Sequence, residues 1–327
     1  MAASFTKFIV ITGIHGETEA VKMWQKLPEW HVVLVGDKKS KKVASSDTLT
    51  YLSIDDQRDL GFAYTEHCPE NNYARKNIGY LYALKQGATD IYDTDDDNLP
   101  LEGWERPQWT CSRRCDSASG FANVYRYFSD AFVWPRGFPL DHVHDDVAPL
   151  QNASATIGVW QSLADRQPDV DALHRLLFPG DVHFHVGERM ALAPRTYCPF
   201  NSQCTFWHRD SFAFLYLPAQ VSFRFTDILR GYIAQRLLWE QGSALGFTEA
   251  MVVQDRNEHD LMNDLRQEMD CYVGVHPTIA ALEEAEFTKD PFENVERAYA
   301  ALINAGVVPK DEMVACRAWI KDAAANR

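Results

Sequence analysis

Four carboxylates follow a short apolar stretch in the first third of the chain. Residues 91–97 read Ile-Tyr-Asp-Thr-Asp-Asp-Asp. Aspartate has a low strand propensity and like charges repel each other, so this is an unfavourable way to end a strand. A divalent cation such as Mg²⁺, which prefers oxygen ligands from carboxylates and from a substrate's phosphates, offsets that cost. The alternative interpretation is a solvated acidic turn, and the surrounding sequence favours the cation.

Two cationic residues precede this acidic segment, at the start of a predicted helix. The spacing of Ala74, Ile78 and Leu81 indicates one helical face. Arg75 and Lys76 fall in the first turns, where the helix dipole disfavours positive charge. Cations in that position suggest a nearby anion, such as a diphosphate. The alternative is that both are exposed charges on a surface helix.

The N-terminal residues predict the elements that position such a site. Residues 8–12 and 31–35 are continuous apolar runs, typical of buried parallel strands, and residues 17–27 between them have helical spacing. Strand, helix and strand within about 30 residues form a βαβ unit, which can bind nucleotides. Asp37 follows the second strand, where an acidic residue can contact a ribose or base. A surface aspartate that caps a turn is an equally good interpretation of Asp37.

Acidic residues also precede two predicted helices further along the chain. Asp227 begins a helix predicted over residues 227–240. It is either the N-cap of that helix or, if it borders a site, a general base. Residues 168–172, Pro-Asp-Val-Asp-Ala, are interpreted as an acidic turn that caps a helix over residues 172–178.

The rest of the chain carries fewer chemical signals. Residues 123–125 are predicted to form an edge strand in a region rich in aromatic side chains. Residues 261–272 are predicted to be helical, and after Pro277 three further helices are predicted over 279–287, 295–305 and 310–325. One loop contains four potential metal ligands, for which a polar surface loop is favoured over a metal site: His142, His144, Asp145 and Asp146.

Length and composition are those of a globular protein. The chain has 327 residues, 46% hydrophobic and 24% charged, which is enough for one large domain or two. A net charge of −14 argues against non-specific binding of nucleic acid, although a bound metal could still attract a phosphorylated ligand. The seven cysteines are odd in number and scattered, so neither a disulfide framework nor a zinc site at Cys111 and Cys115 is expected.

The sequence contains no obvious targeting signal. No signal peptide is recognised at the N-terminus, and no uninterrupted apolar run reaches the roughly 18 residues that indicate a membrane span. We therefore expect a reducing, cytoplasmic location without a membrane span.

Several of these motifs together resemble a known family. Residues 75–83 and 92–98, residues 225–239 with the segment Phe-Thr-Asp-Ile-Leu-Arg-Gly-Tyr, and residues 252–257 resemble the STELLO-type glycosyltransferases. Residues 35–37, the triple aspartate and residues 168–172 are more distantly similar to UDP-arabinopyranose mutases, also called reversibly glycosylated polypeptides. The similarity extends over roughly residues 5–272.

The resemblance implies an α/β GT-A fold with a Rossmann-like half that binds the nucleotide sugar. The implied glycosyltransferase domain is 1–272, with a donor half at about 1–100 and an acceptor half at about 101–272. Residues 273–327 are then a helical appendage at the C-terminus.

The resemblance also implies site residues. Asp95 and Asp97 form an Asp-x-Asp motif that holds Mn²⁺ or Mg²⁺, and Asp227 is the catalytic base of an inverting transfer. His259 is the candidate for a third metal ligand, with Gln254 second. The implied contacts of the donor are Thr12, His15, Asp37, Arg75, Lys76, Asp95 and Asp96.

The expected activity is transfer of a hexosyl or pentosyl group from a UDP- or GDP-sugar to a glycan or other hydroxyl acceptor. One alternative is a nucleotide-sugar mutase of the UDP-arabinopyranose type, which interconverts ring forms without an acceptor. The other is a non-catalytic partner of another glycosyltransferase. The donor sugar, the base, the acceptor and the oligomeric state are not specified by the sequence.

Overall fold

The computed structural model describes residues 5–254 and 260–326. These residues form a mixed α/β structure around one sheet, in which ten strands follow the order β3-β2-β1-β4-β9-β7-β6-β8-β10-β5. The predicted α/β class is confirmed. The strands are β1 (Lys7–Thr12), β2 (Trp30–Val35), β3 (Leu49–Leu52), β4 (Asp90–Thr94), β5 (Asn98–Pro100), β6 (Thr110–Cys115), β7 (Leu150–Arg166), β8 (Met190–Leu192), β9 (Cys204–His208) and β10 (Ala244–Gln254).

One end of the sheet is parallel and Rossmann-like. β3, β2, β1 and β4 all run in the same direction, with Thr12 of β1 opposite Val35 of β2. The apolar residues of β1 and β2 are buried, as the continuous hydrophobic runs predict. The carboxyl ends of β1, β2 and β4 therefore meet at one edge, and this edge carries the acidic segment after β4. This arrangement is the one expected of the donor half of a GT-A fold.

The other half of the sheet is mixed. β9 pairs antiparallel with both β4 and β7, and β10 pairs parallel with β7. The antiparallel pairing places Cys204, at the start of β9, opposite Thr94 at the end of β4. The amino end of β9 and the carboxyl end of β4 thus lie at the same edge of the sheet.

Nine α-helices cover this sheet or pack beside it within the described residues. Short 3₁₀ helices connect them, and one of these, Val124–Tyr127, occupies most of the segment predicted as an edge strand, so that prediction is wrong. The α-helices are α1 (Glu19–Trp24), α2 (Ile54–Asp59), α3 (Lys76–Lys85), α4 (Ala172–Leu177), α5 (Thr226–Glu240), α6 (Leu261–Gln267), α7 (Met269–Glu284), α8 (Pro291–Asn304) and α9 (Glu312–Ala325).

The last three helices join the main hydrophobic core. Leu282 of α7, Tyr299 of α8 and Trp319 of α9 are buried in the same cluster as the side chains of α3 and α5. No helix in the two described segments has the length and apolarity needed to cross a bilayer. The seven cysteines are buried free thiols.

Candidate functional site

A cavity of about 480 Å³ opens at the edge where β1, β2 and β4 end. It is bounded on the far side by the start of α5 and by Gln254 at the end of β10. Eight residues predicted as functional from the sequence line it: Thr12, His15, Asp37, Asp95, Asp96, Asp97, Asp227 and Gln254. The predicted strand ends thus converge on one cavity.

The three aspartates after β4 have different surroundings. Asp95 Oδ1 accepts hydrogen bonds from the Tyr73 hydroxyl at 2.9 Å and from Lys76 Nζ at 3.3 Å. Asp97 Oδ2 accepts from Gln254 Nε2 at 2.9 Å. Asp96 lies against Gly13, where an added Cβ would be 2.1 Å from Asp96 Oδ2. The carboxylates of Asp95 and Asp97 are therefore held by hydrogen bonds from different parts of the chain.

The donor set of this acidic segment fits a divalent cation. Asp97 Oδ1 is buried and has no hydrogen-bond partner among the described residues. Burial raises the pKa of Asp95 to about 7, and burial followed by the charge of Asp97 raises the pKa of Asp96. A cation would relieve both the unpaired oxygen and the repulsion between these oxygen ligands. Asp96 Oδ2 is likewise buried without a hydrogen-bond partner among the described residues, so Asp95, Asp96 and Asp97 all offer oxygen ligands at this end of the cavity.

Lys76 supports the acidic segment from behind and does not line the cavity. Its side chain is fully buried, and Nζ lies 2.6 Å from Asp93 Oδ1 and 3.3 Å from Asp95 Oδ1. Nζ also donates to the carbonyl oxygen of Thr94 at 2.7 Å. The ammonium group thus balances the charge of β4 and orients Asp95, so a direct contact with a donor is not what this geometry provides.

Arg75 requires a correction of the expectation that it faces the donor. It is 2% exposed and does not line the cavity. Its guanidinium donates to Gln57 Oε1 at 2.5 and 2.9 Å and to the carbonyl oxygen of Cys68 at 3.1 Å. A cation near the start of a helix can indicate an anionic ligand, but acceptors within the protein satisfy Arg75.

The side of the cavity beyond β1 and β2 is built around Asp37. Its carboxylate accepts hydrogen bonds from the backbone N–H groups of Asn71 at 2.9 Å and Asn72 at 3.1 Å. Asn71 has a φ of 52°, in the left-handed region. Thr12 Oγ1 donates to the carbonyl oxygen of Val35 at 3.1 Å, and His15 is exposed at the rim. Asp37 therefore holds the loop before α3 against the end of β2.

The far side of the cavity contains an ion cluster that sequence reasoning missed. Arg136 forms two hydrogen bonds to Asp169, each 2.8 Å long, and its Nη2 lies 3.0 Å from Asp227 Oδ2. All three residues are less than 10% exposed, and all three line the cavity. Although burial alone would lower it, Asp169 and Asp227 raise the pKa of Arg136 above its usual value. One guanidinium is thus shared by two buried carboxylates.

Two acidic residues predicted to act together have separate roles. Asp171 is the N-cap of α4, accepting from the His174 N–H, as predicted for the acidic turn. Asp169 instead points into the cavity and also accepts from Asn201 Nδ2 at 2.7 Å. Its similarity to the mutase segment was the only signal in the sequence that set it apart from a capping residue.

The third metal ligand predicted from the resemblance is His259, which lies outside the described residues. Gln254, the second candidate, does line the cavity. It accepts from Gln203 Nε2 at 2.6 Å through Oε1 and donates to Asp97 through Nε2. Gln254 therefore orients an aspartate of the acidic segment.

Two curated plant proteins are similar to this chain over most of its length. "Probable glycosyltransferase STELLO1" from Arabidopsis thaliana is 28% identical over 344 aligned residues, which cover 97% of this chain and 44% of that protein. "Probable glycosyltransferase STELLO2" from the same plant is 30% identical over 261 residues, which cover 72% of this chain and 34% of that protein. The chain is homologous to the STELLO proteins. The resemblance to the STELLO family is confirmed, and the chain spans less than half the length of these STELLO relatives.

Family models and solved structures show less similarity to this STELLO homologue. No family model matches the chain. A structure titled "Crystal Structure of a Mycobacterial Protein" has a TM-score of 0.41 at 11% identity, covering 85% of this chain and 74% of that one. Glucosyl-3-phosphoglycerate synthase from Mycobacterium tuberculosis has a TM-score of 0.35 at 9% identity, covering 85% and 78%. Both likenesses are too remote to bear on the chemistry of the cavity.

Proposed function

We propose that this protein is a metal-dependent glycosyltransferase that moves a sugar from a nucleoside-diphosphate donor to a hydroxyl acceptor. One observation carries the proposal: Asp95 and Asp97, which follow β4, and Asp227, in the first turn of the distant α5, line a single cavity. The names of the STELLO relatives support the same class of reaction. UDP or GDP as the nucleotide, and a glycan as the acceptor, are part of this proposal.

The donor is proposed to lie across the ends of the parallel strands. Thr12, His15 and Asp37 border the nucleoside, because they line the cavity beyond β1 and β2. Asp95 and Asp97 hold Mn²⁺ or Mg²⁺, and Lys76 and Gln254 keep these carboxylates in position. When bound, the cation supplies Lewis-acid stabilisation of the charge that develops on the departing diphosphate.

Asp227 is proposed as the general base that accepts the proton of the acceptor hydroxyl. Its position in the first turn of α5 places the carboxylate at the cavity wall. Arg136 and the Ser202 N–H, which donates at 3.3 Å, hold the carboxylate in place. A base on the side of the sugar opposite the diphosphate gives inversion at the anomeric carbon.

The proposal is tested by donor turnover in the presence and absence of metal. The protein is incubated with a panel of UDP- and GDP-sugars and hydroxyl acceptors, and release of nucleoside diphosphate is measured with Mn²⁺ and with EDTA. We expect release only with metal, with a loss of at least about 100-fold for Asp227→Asn, the usual scale of general-base catalysis. Asp97→Asn should lose turnover together with Mn²⁺-dependent binding of the nucleoside diphosphate.

The matched control is Asp59→Asn, which changes an exposed aspartate on α2. It should leave turnover and binding unchanged. Full activity in EDTA, or unchanged turnover for Asp97→Asn, would refute the metal-dependent mechanism. Isomerised donor in the absence of any acceptor would assign the mutase reaction instead, and binding without any turnover would assign a non-catalytic role.

A further inference from the structure

A second group of potential metal ligands lies outside the cavity. Asp141, His142 and His276 each offer one ligand atom, and the three atoms lie within 4.8 Å of one another. His276 Nε2 is 3.1 Å from both carboxylate oxygens of Asp141, and His142 Nε2 is 3.9 Å from Asp141 Oδ2. In a tetrahedral zinc site with bonds of roughly 2.0–2.1 Å, ligand atoms stand about 3.3 Å apart. The cluster is therefore close to the required size before any metal enters.

The His142 ring is already oriented for a ligand. Its Nδ1 lies 2.7 Å from Asp145 Oδ2, so the neutral ring donates through Nδ1 and keeps its lone pair on Nε2. Nε2 is the nitrogen on the side of Asp141. The ring also packs on Phe121, with centroids 4.6 Å apart. A carboxylate behind a ligating histidine is the usual supporting contact in zinc sites.

The other members of the cluster are suited to the same purpose. His276 Nε2 lies 3.1 Å from each carboxylate oxygen of Asp141, so the nitrogen and the carboxylate already face each other, and metal binding would release the proton that they share. The His276 ring makes an edge contact with Phe121 at 5.7 Å, and its centroid is 6.0 Å from that of His142. Phe121 thus supports both imidazoles from one side.

We propose that Asp141, His142 and His276 form a binding site for a divalent transition metal, with Zn²⁺ as the best fit. Two imidazoles and one carboxylate are the ligand types that zinc takes in proteins, and the exposed side of the cluster leaves a fourth position for water. The ligand set differs from that of the loop considered in the sequence. His144 stacks on Phe132 instead, and His276 comes from α7, 134 residues beyond His142.

The site would connect two parts of the chain. His276 lies on α7, and Asp141 and His142 lie on a 3₁₀ helix that begins four residues after Arg136. Arg136 lines the cavity. Zinc would therefore fix the segment that carries Arg136 to a helix near the C-terminus, as a structural cross-link.

The test is zinc binding by the untagged chain of 327 residues after treatment with EDTA. Isothermal titration calorimetry with Zn²⁺ should show a site that weakens at least about tenfold in His276→Ala and in His142→Ala, and about 10- to 100-fold in Asp145→Asn. Co²⁺ should give an intense visible spectrum of tetrahedral type in the wild type and lose it in His276→Ala. His144→Ala, from the same loop, should bind Zn²⁺ as the wild type does.

Two outcomes would overturn the proposal. One is equal zinc affinity in the wild type and His276→Ala, and the other is loss of binding in His144→Ala. Both variants retain the carboxylates of the cavity, so either result leaves the proposed glycosyltransferase reaction unaffected. Thermal unfolding adds a check of folding, because Zn²⁺ should raise the Tm of the wild type and of His144→Ala but not that of His276→Ala.

Discussion

The Asp95 carboxylate lies between a buried ammonium group and the open side of the cavity. Lys76 and Tyr73 both donate to it, which favours its ionised form. Burial has the larger effect, and the charges of Asp97 and Asp93 add to it, so that the pKa of Asp95 is about 7. Near neutral pH, a cation that binds Asp95 must therefore compete with a proton.

This raised pKa predicts how Asp95 affects stability. The folded state holds the proton more tightly than the unfolded state, where the pKa is about 3.9. The stabilisation from Asp95 is fully present below about pH 4 and is lost as the pH rises to about 7. We expect the Tm of the metal-free wild type to fall, relative to that of Asp95→Asn, between about pH 4.5 and pH 7.5. Scanning calorimetry of both proteins in EDTA checks this, and parallel Tm curves would contradict it.

The separation of partners along the chain decided which site residues could be predicted. Asp95 and Asp97 were recognisable because the acidic residues are consecutive, and Asp37 and Asp227 because each follows or begins a predicted element. The cluster around Arg136 was not, since Asp169 lies 33 residues away from Arg136 and Asp227 lies 91 residues away. Arg75 does not face the cavity as expected, because an unfavourable charge in a first turn does not reveal whether a ligand or a protein acceptor such as Gln57 compensates for it.

At the level of elements, α3 packs closely against the parallel strands β1 and β2 at Gly79. A Cβ added to Gly79 would stand 2.6 Å from a methyl carbon of Val10 in β1 and 2.6 Å from one of Val35 in β2. This close approach brings the N-terminal residue of α3, Lys76, under the end of β4. The absence of a side chain at Gly79 therefore contributes to the position of the acidic segment.

Gly79→Ala sets two effects against each other. Alanine has a better helix propensity by about 1 kcal/mol, whereas a methyl group forced into a packed core costs about 1–3 kcal/mol. The two contacts at 2.6 Å are with side chains on neighbouring strands, so we expect the packing cost to prevail and the free energy of unfolding to fall. Urea unfolding measures it. The double variant Gly79→Ala/Val35→Ala should be more stable than additivity predicts, and an unchanged or raised stability of the single variant would refute the close packing.

Element boundaries show where local patterns lose their value. β7 extends over the 17 residues Leu150–Arg166 because it pairs with β6, β9 and β10. The helix predicted to start after Pro277 is part of α7, which continues through that proline. The Thr278 hydroxyl donates a hydrogen bond to the carbonyl oxygen of Gly274, and the Leu282 side chain is buried in the core. Tertiary contacts thus outweigh the local helix-breaking signal of Pro277.

At the scale of the whole molecule, the C-terminal helices contact the wall of the cavity through one loop. Glu312 at the start of α9 is fully buried and accepts hydrogen bonds from the Tyr216 hydroxyl and from the Ala219 and Gln220 N–H groups. The carbonyl oxygen of Ala219 accepts from Asn72 Nδ2 at 3.2 Å, and Asn72 lines the cavity. Residues 273–327 are predicted to be an appendage, whereas these contacts connect α9 to a loop that supports the cavity wall.

Glu312 and a truncation together distinguish an appendage from an integral part of the domain. Glu312→Ala leaves the Ala219 and Gln220 N–H groups without an acceptor, so we expect a loss of about 1–3 kcal/mol in the free energy of unfolding, measured with urea. Glu284→Gln, on the exposed face of α7, should have no effect.

A chain ending at residue 272 loses the buried Leu282, Tyr299 and Trp319 and exposes the core surface that they cover. We expect it to aggregate or unfold without cooperativity, because that apolar surface has no other cover. A soluble chain of 272 residues that unfolds cooperatively would show instead that the C-terminal helices are dispensable for the fold.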